Sequence, residues 1–179
     1  MAIYKPSEDS FFFSDFLKSH LSKLKNKDIK YLDIGTGSGI LAGAALNSGI
    51  KKSNILASDI NKESVNFVKN NLMIKTIHSD LFSKIPKANN FDLITFNAPY
   101  LPEDKDEPED SKLATTGGKK GDEISLKFLK QAKQHLNENG KILLLISSLT
   151  PLNKIKKFKP RIIARKKIWM EELLILGFD

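Results

Sequence analysis

Asn97-Ala98-Pro99-Tyr100 stands directly after an apolar run, Phe91 to Phe96 (FDLITF), and its residue types can do chemistry. An amide or aromatic amine is a poor nucleophile because its nitrogen lone pair is delocalised. Two oxygen acceptors that grip its two N–H hydrogens draw the nitrogen toward tetrahedral geometry and fix the direction of the lone pair. The Asn97 side-chain oxygen and the Ala98 backbone oxygen can form such a pair, Pro99 stiffens the turn, and Tyr100 can pack on the planar group. The chemistry is positioning, without a base of shifted pKa.

A second constellation lies upstream. Asp33-Ile34-Gly35-Thr36-Gly37-Ser38-Gly39 falls where a strand turns into a helix, and glycines there open main-chain amides to a ligand. Asp59 ends the next strand, where a carboxylate can accept from both hydroxyls of a ribose. A pyrophosphate ligand prefers GxGxxG spacing with no carboxylate beside the loop. GTGSG preceded by Asp33 better suits a ligand with an ammonium group and no phosphate, which favours S-adenosylmethionine over NAD. Asp80-Leu81, after a third strand, can hold the adenine: Asp80 accepts from the exocyclic amine and the Leu81 amide donates to a ring nitrogen. Ile60 would pack on the adenine face.

The elements that must position these residues follow from periodicity. Strands are expected at 29–34, 54–59, 74–78, 91–96, 141–147, 162–168 and 173–178, and helices at 10–25, 38–47, 62–72 and 122–136, with Asn61 capping the third and Gly140 ending the last. Lys141 to Ser147 (KILLLIS) is apolar enough for a central strand covered on both faces. Alternation of strand and helix predicts an α/β fold: a seven-stranded, mostly parallel sheet with helices on both faces. The last two strands are too close in sequence for a parallel crossover, so one antiparallel strand is expected near the C-terminus. That architecture is Rossmann-like and matches the class I S-adenosylmethionine-dependent methyltransferases better than the all-parallel dinucleotide fold.

At 179 residues the chain has room for one domain, expected to span 1–179, with 1–28 a helical cap segment over the cofactor site and 29–179 the core. Forty per cent hydrophobic and 28% charged residues, without any apolar run of membrane-spanning length, exclude a membrane helix. The N-terminus lacks the pattern of a secretory signal, so a cytoplasmic location is expected. The absence of cysteine excludes disulfides and thiolate metal sites, and His20, His78 and His135 lack ligand spacing, so no metal is expected. The formal charge of +8 is weak evidence for nucleic acid, because 27 of the 29 basic residues are lysines spread along the chain. One cluster, Lys154 to Lys167, holds eight basic residues in fourteen positions and reads as a solvated face or a docking patch. Glu103 to Asp110 (EDKDEPED) is expected to be extended and mobile.

Asn97 to Tyr100 resembles the Asn-Pro-Pro-Tyr signature of methyltransferases that act on planar amino groups. Together with Tyr4 to Leu17 (YKPSEDSFFFSDFL), DIGTGSG, Leu113 to Ile124 (LATTGGKKGDEI) and Lys141 to Leu149 (KILLLISSL), the chain is similar to the HemK/PrmC protein-glutamine N5-methyltransferases. The resemblance implies that Ser10 contacts the cofactor and that Thr116, Gly117, Gly118 and Gly121 form a substrate loop. The short stretch before the first strand leaves no room for the recognition domain of the bacterial enzymes. It points to the archaeal and eukaryotic branch, which modifies the Gly-Gly-Gln glutamine of the class I release factor. That branch pairs with a small zinc-binding activator, expected here to add strands at the edge near Met73 to His78. Ala98 departs from the signature, but acts through its backbone oxygen. Two other readings compete: an RNA or DNA amino-group methyltransferase using the same site, and an impaired cofactor-binding scaffold that acts through a partner.

Overall fold

The computed structural model describes residues 3–88 and 90–179, with the backbone alone at Glu109 and Asp110. A first helix, α1 (Glu8–Ser22), leads into β1 (Tyr31–Ile34), α2 (Ile40–Asn47), β2 (Ile55–Asp59), α3 (Lys62–Leu72) and β3 (Lys75–His78). Then come β4 (Phe91–Asn97), α4 (Glu109–Thr115), α5 (Glu123–Ala132), β5 (Leu136–Ser147), the short α6 (Leu152–Ile155), β6 (Arg161–Ile168) and β7 (Glu171–Phe178). The seven strands form one sheet in the order β3-β2-β1-β4-β5-β7-β6. All neighbours from β3 to β5 are parallel, and β7 runs antiparallel to both β5 and β6. This is the class I methyltransferase sheet.

Its inner strands are buried because alternate residues feed two cores, while the edge strands β3 and β6 stay largely exposed. Leu32, Ile34, Ile94, Phe96, Leu144 and Leu176 face α5 residues such as Phe128 and Ala132. Tyr31, Leu93, Leu143, Leu145 and Ile175 face Phe13, Leu17 and Leu21 of α1 and Leu41 and Ala45 of α2. A strand covered on both sides needs apolar residues at every position, which is why β5 reads ILLLI without polar interruption.

Asn61 caps α3, its side chain accepting from the Glu63 amide at 3.0 Å. The one antiparallel strand expected near the C-terminus is β7, inserted between β5 and β6, because the tight turn after β6 leaves the chain to re-enter beside the long, apolar β5. Two other sequence expectations are corrected. Gly140 does not end the fourth predicted helix, which stops at Ala132. It lies within β5, where the pairing with β4 slips between Phe91 and Leu93. The acidic run is not simply extended. Ser111, Thr115 and Thr116 donate their hydroxyls to the Glu107 carboxylate, and α4 starts right after Pro108. The Glu109 and Asp110 side chains within that run lie outside the described residues.

Candidate active site

The carboxyl ends of β1, β2 and β4 open into a cavity of about 250 Å³, which Tyr4, Asp9 and Ser10 around the start of α1 also line. Ligands of open α/β sheets bind at this rim, where the order reverses between β1 and β4. Of the residues expected to build a site, Ser10, Gly35, Thr36, Gly37, Asp59, Ile60, Asp80, Leu81, Asn97, Ala98 and Pro99 line it together.

Asp59 sits at the end of β2 with a buried carboxylate that accepts from the Gly37 amide at 2.8 Å and the Asn61 amide at 2.8 Å. Burial raises its pKa, and those amides work against the rise. Ile60, next in the chain, is 49% exposed inside the cavity, an apolar face left for an apolar or aromatic ligand group. Leu81 has φ +47, a left-handed backbone that a branched residue adopts at a cost of roughly 1–2 kcal/mol. Such strain beside a cavity fits an amide turned toward a ligand. Lys127 of α5 donates to Asp80 at 2.6 Å, with both side chains about half exposed. A buried carboxylate, an exposed apolar side chain and an amide–carboxylate edge are thus adjacent, a set that fits the ribose and adenine of S-adenosylmethionine.

Asn97 ends β4. Its Nδ2 donates to Asp9 Oδ2 at 2.9 Å and to Ser10 Oγ at 3.4 Å. A carboxylate accepts only, so the amide end of Asn97 must face Asp9. Its Oδ1 is shielded from solvent and has no hydrogen-bond partner among the described residues. A buried acceptor left open costs roughly 1–3 kcal/mol, which an arriving N–H removes.

Other expected site residues lie outside the cavity lining. Asp33 is fully buried in the strand layer, where Thr36 Oγ1 (2.7 Å) and Thr95 Oγ1 (3.0 Å) donate to its carboxylate. Burial pushes its pKa up to about 7, against the pull of those two hydroxyls. Gly39, at φ +79, lies against Val68 of α3 and sets helix packing. Tyr100, the last residue of the tetrapeptide, is partly buried outside the lining, its phenol pushed up by burial and by the nearby Asp9, Glu171 and Tyr4.

The Thr116-Gly117-Gly118 and Gly121 element also lies outside the lining and instead backs the tetrapeptide. Thr115 O accepts from the Tyr100 and Leu101 amides, and Gly117 N donates to Leu101 O. A Cβ on Gly117 would fall 2.6 Å from Pro99 O and 2.3 Å from Gly121 O, so only glycine lets these backbones meet.

Sequence reasoning passed over Tyr4 from the segment before α1, Asp9 from its first turn, Leu113 and Ala114 from α4, and Ile124 and Lys127 from α5. The acidic pair Glu8-Asp9 beside Ser10 was the one available signal. Among the described residues no group of three or more His, Asp or Glu could hold a metal ion, and no helix is long and apolar enough to cross a membrane.

A family model described as the methyltransferase small domain matches residues 12–167. The chain belongs to this methyltransferase family. It is 40% identical over 188 residues, 98% of this chain and 90% of the relative, to a Methanocaldococcus jannaschii protein provisionally described as a protein N5-glutamine methyltransferase. It is 35% identical, over 70% of its length, to the release factor glutamine methyltransferase of Lactococcus lactis, and the match spans 50% of that enzyme. The solved ribosomal protein L11 methylase of Lactobacillus delbrueckii subsp. bulgaricus shares the fold, with a TM-score of 0.69 over 98% of this chain and 81% of that one, at 24% identity. The resemblance to the protein-glutamine N5-methyltransferases is borne out, and the methyltransferase is an S-adenosylmethionine-dependent enzyme.

Proposed function

We propose that this methyltransferase modifies the N5 nitrogen of the glutamine in the Gly-Gly-Gln motif of the class I translation termination factor. The observation that carries the reading is the state of Asn97, whose Nδ2 is engaged by Asp9 and Ser10 while its Oδ1 stays open. Asn97 Oδ1 and the Ala98 carbonyl would accept the two N–H hydrogens of the substrate carboxamide and aim its lone pair. Pro99 and Tyr100 would hold the turn and cover the planar group. S-adenosylmethionine supplies an electrophilic methyl when bound. Asp59 would hold its ribose hydroxyls, Ile60, Asp80 and Leu81 its adenine, and Gly35, Thr36, Gly37 and Ser10 its remaining part. Residues 1–28 would serve as a cap over this site and 29–179 as the core. Support for the substrate comes from the names of the M. jannaschii and L. lactis relatives.

The reading includes a small zinc-binding activator subunit seated on the sheet edge at Met73 to His78. β3 is an edge strand, and Met73 beside it is 69% exposed. The test is to incubate the chain, alone and with candidate activators, with S-adenosylmethionine and the release factor, then to look by mass spectrometry for one added methyl on the Gly-Gly-Gln peptide. Methyl transfer to tRNA or rRNA in place of the factor would overturn it and favour an amino-group enzyme of nucleic acid, for which the basic cluster from Lys154 to Lys167 is the motivating feature. A fully active isolated chain would remove the activator from the reading.

A further inference from the structure

We infer that Asp9, in the first turn of α1 beside the cavity, is a positioning residue that decides which end of the Asn97 carboxamide meets the substrate. The inference rests on the amide-methylation reading above and deepens it. An asparagine side chain keeps nearly the same shape when turned over about its last bond, so packing alone does not distinguish Oδ1 from Nδ2. The buried Asp9 carboxylate makes the distinction. Its Oδ1 accepts from Ser7 Oγ at 2.6 Å, Ser10 Oγ at 3.2 Å and Tyr4 OH at 3.4 Å, and its Oδ2 accepts from Asn97 Nδ2 at 2.9 Å.

Ser10 acts in the same sense. Its hydroxyl gives its proton to Asp9 and turns lone pairs toward Asn97 Nδ2 at 3.4 Å. Both hydrogens of Nδ2 thus have acceptors, and Oδ1 is left over as the open acceptor. With Asn97 turned over, Oδ1 would face a carboxylate oxygen and a hydroxyl lone pair. Nδ2 would then meet the reacting nitrogen as a donor and bind the lone pair that must attack the methyl group. One orientation prepares the nucleophile; the other blocks it. Because Asp9 lies in the first turn of α1, the start of the helix that lines the cavity also sets this orientation.

The test uses Asp9→Asn, which keeps the size but can present either oxygen or nitrogen to Asn97. In the full chain, with its activator if one is required, kcat on a glutamine peptide should fall about 10- to 100-fold while S-adenosylmethionine affinity changes by less than about threefold. In an Asn97→Ala background the same substitution should add nothing, since Asp9 acts through Asn97. Independently of activity, ¹⁵N NMR of the substrate-free protein should show the Asn97 side-chain NH₂ protected from exchange, and that protection lost in Asp9→Asn. Three results would each overturn the inference: an additive loss in the double variant, a loss of cofactor affinity in place of kcat, or an Asn97 resonance indifferent to Asp9→Asn. If the wild type transfers no methyl to glutamine, the functional reading fails while the NMR comparison still decides the role of Asp9.

Discussion

Replacing Gly117 by alanine separates a loop that holds the acceptor tetrapeptide from a loop that merely lies near it. The added Cβ would stand 2.3 Å from Gly121 O and 2.6 Å from Pro99 O, where real Cβ atoms stay beyond 3.0 Å. The contact with Gly121 O must therefore open by at least 0.7 Å and that with Pro99 O by at least 0.4 Å, and both obstacles are backbone, so no side-chain rotation relieves them. The Pro99 side must move or the Gly121 side must move, and each is tied down. Gly117 N donates to Leu101 O at 2.9 Å, Ile124 N donates to Gly117 O at 3.0 Å, and Gly121 N donates to Gly118 O at 3.1 Å. A displacement approaching 1 Å at a reacting centre costs on the order of 100-fold in rate. Overpacking of this kind costs roughly 1–3 kcal/mol of stability. The cavity lining does not include Gly117, so cofactor affinity should hold. Steady-state kinetics, calorimetric titration with S-adenosylmethionine and a thermal melt read the three quantities together. A variant with kcat within twofold of wild type and an unchanged melt refutes the reasoning. So does one that loses cofactor affinity and keeps kcat.

Other perturbations probe separate parts of the site. Asn97→Ala should lower kcat on the order of 100-fold or more with cofactor binding retained, and an active variant would remove the acceptor role from this residue. Asp59→Asn should weaken S-adenosylmethionine binding by about 10- to 100-fold, the worth of hydrogen bonds to a charged group, and titration calorimetry showing no change would displace it from the ribose site. Asp33 keeps its proton in the folded protein up to about pH 7 but ionises near 3.8 in the unfolded chain, so it favours the folded state at low pH. That contribution is complete below pH 3.8 and is lost as pH rises to about 7. Asp33→Asn should flatten the fall of Tm over this window, and a variant that falls as steeply as wild type contradicts the assignment.

The sequence by itself determined the sheet and the ends of its strands. Apolar runs such as FDLITF and KILLLIS have only one way to be buried, and the turn residues after them, DIGTGSG and NAPY, come at the strands' carboxyl ends in any parallel arrangement. Asp59, Ile60, Asp80 and Leu81 were legible for the same reason, since each follows directly from a strand. What a strand-end motif leaves open is its long-range partners. Asp33 was expected beside the ammonium group of a ligand, yet neighbouring Thr95 on β4 and Thr36 bind its carboxylate within the layer, while Asp59 reaches the cavity. Gly117 and Gly121 read as a substrate loop, whereas their approach to Pro99 and Tyr100 shows a brace. The contact of Asp9 with Asn97 joins residues 88 positions apart, and no local pattern encodes it. Burial and strand order were set by which side chains prefer to leave water, a property each residue carries alone. The orientation of the Asn97 amide depends on which acceptors the closed fold brings beside it, and only the tertiary structure supplies them.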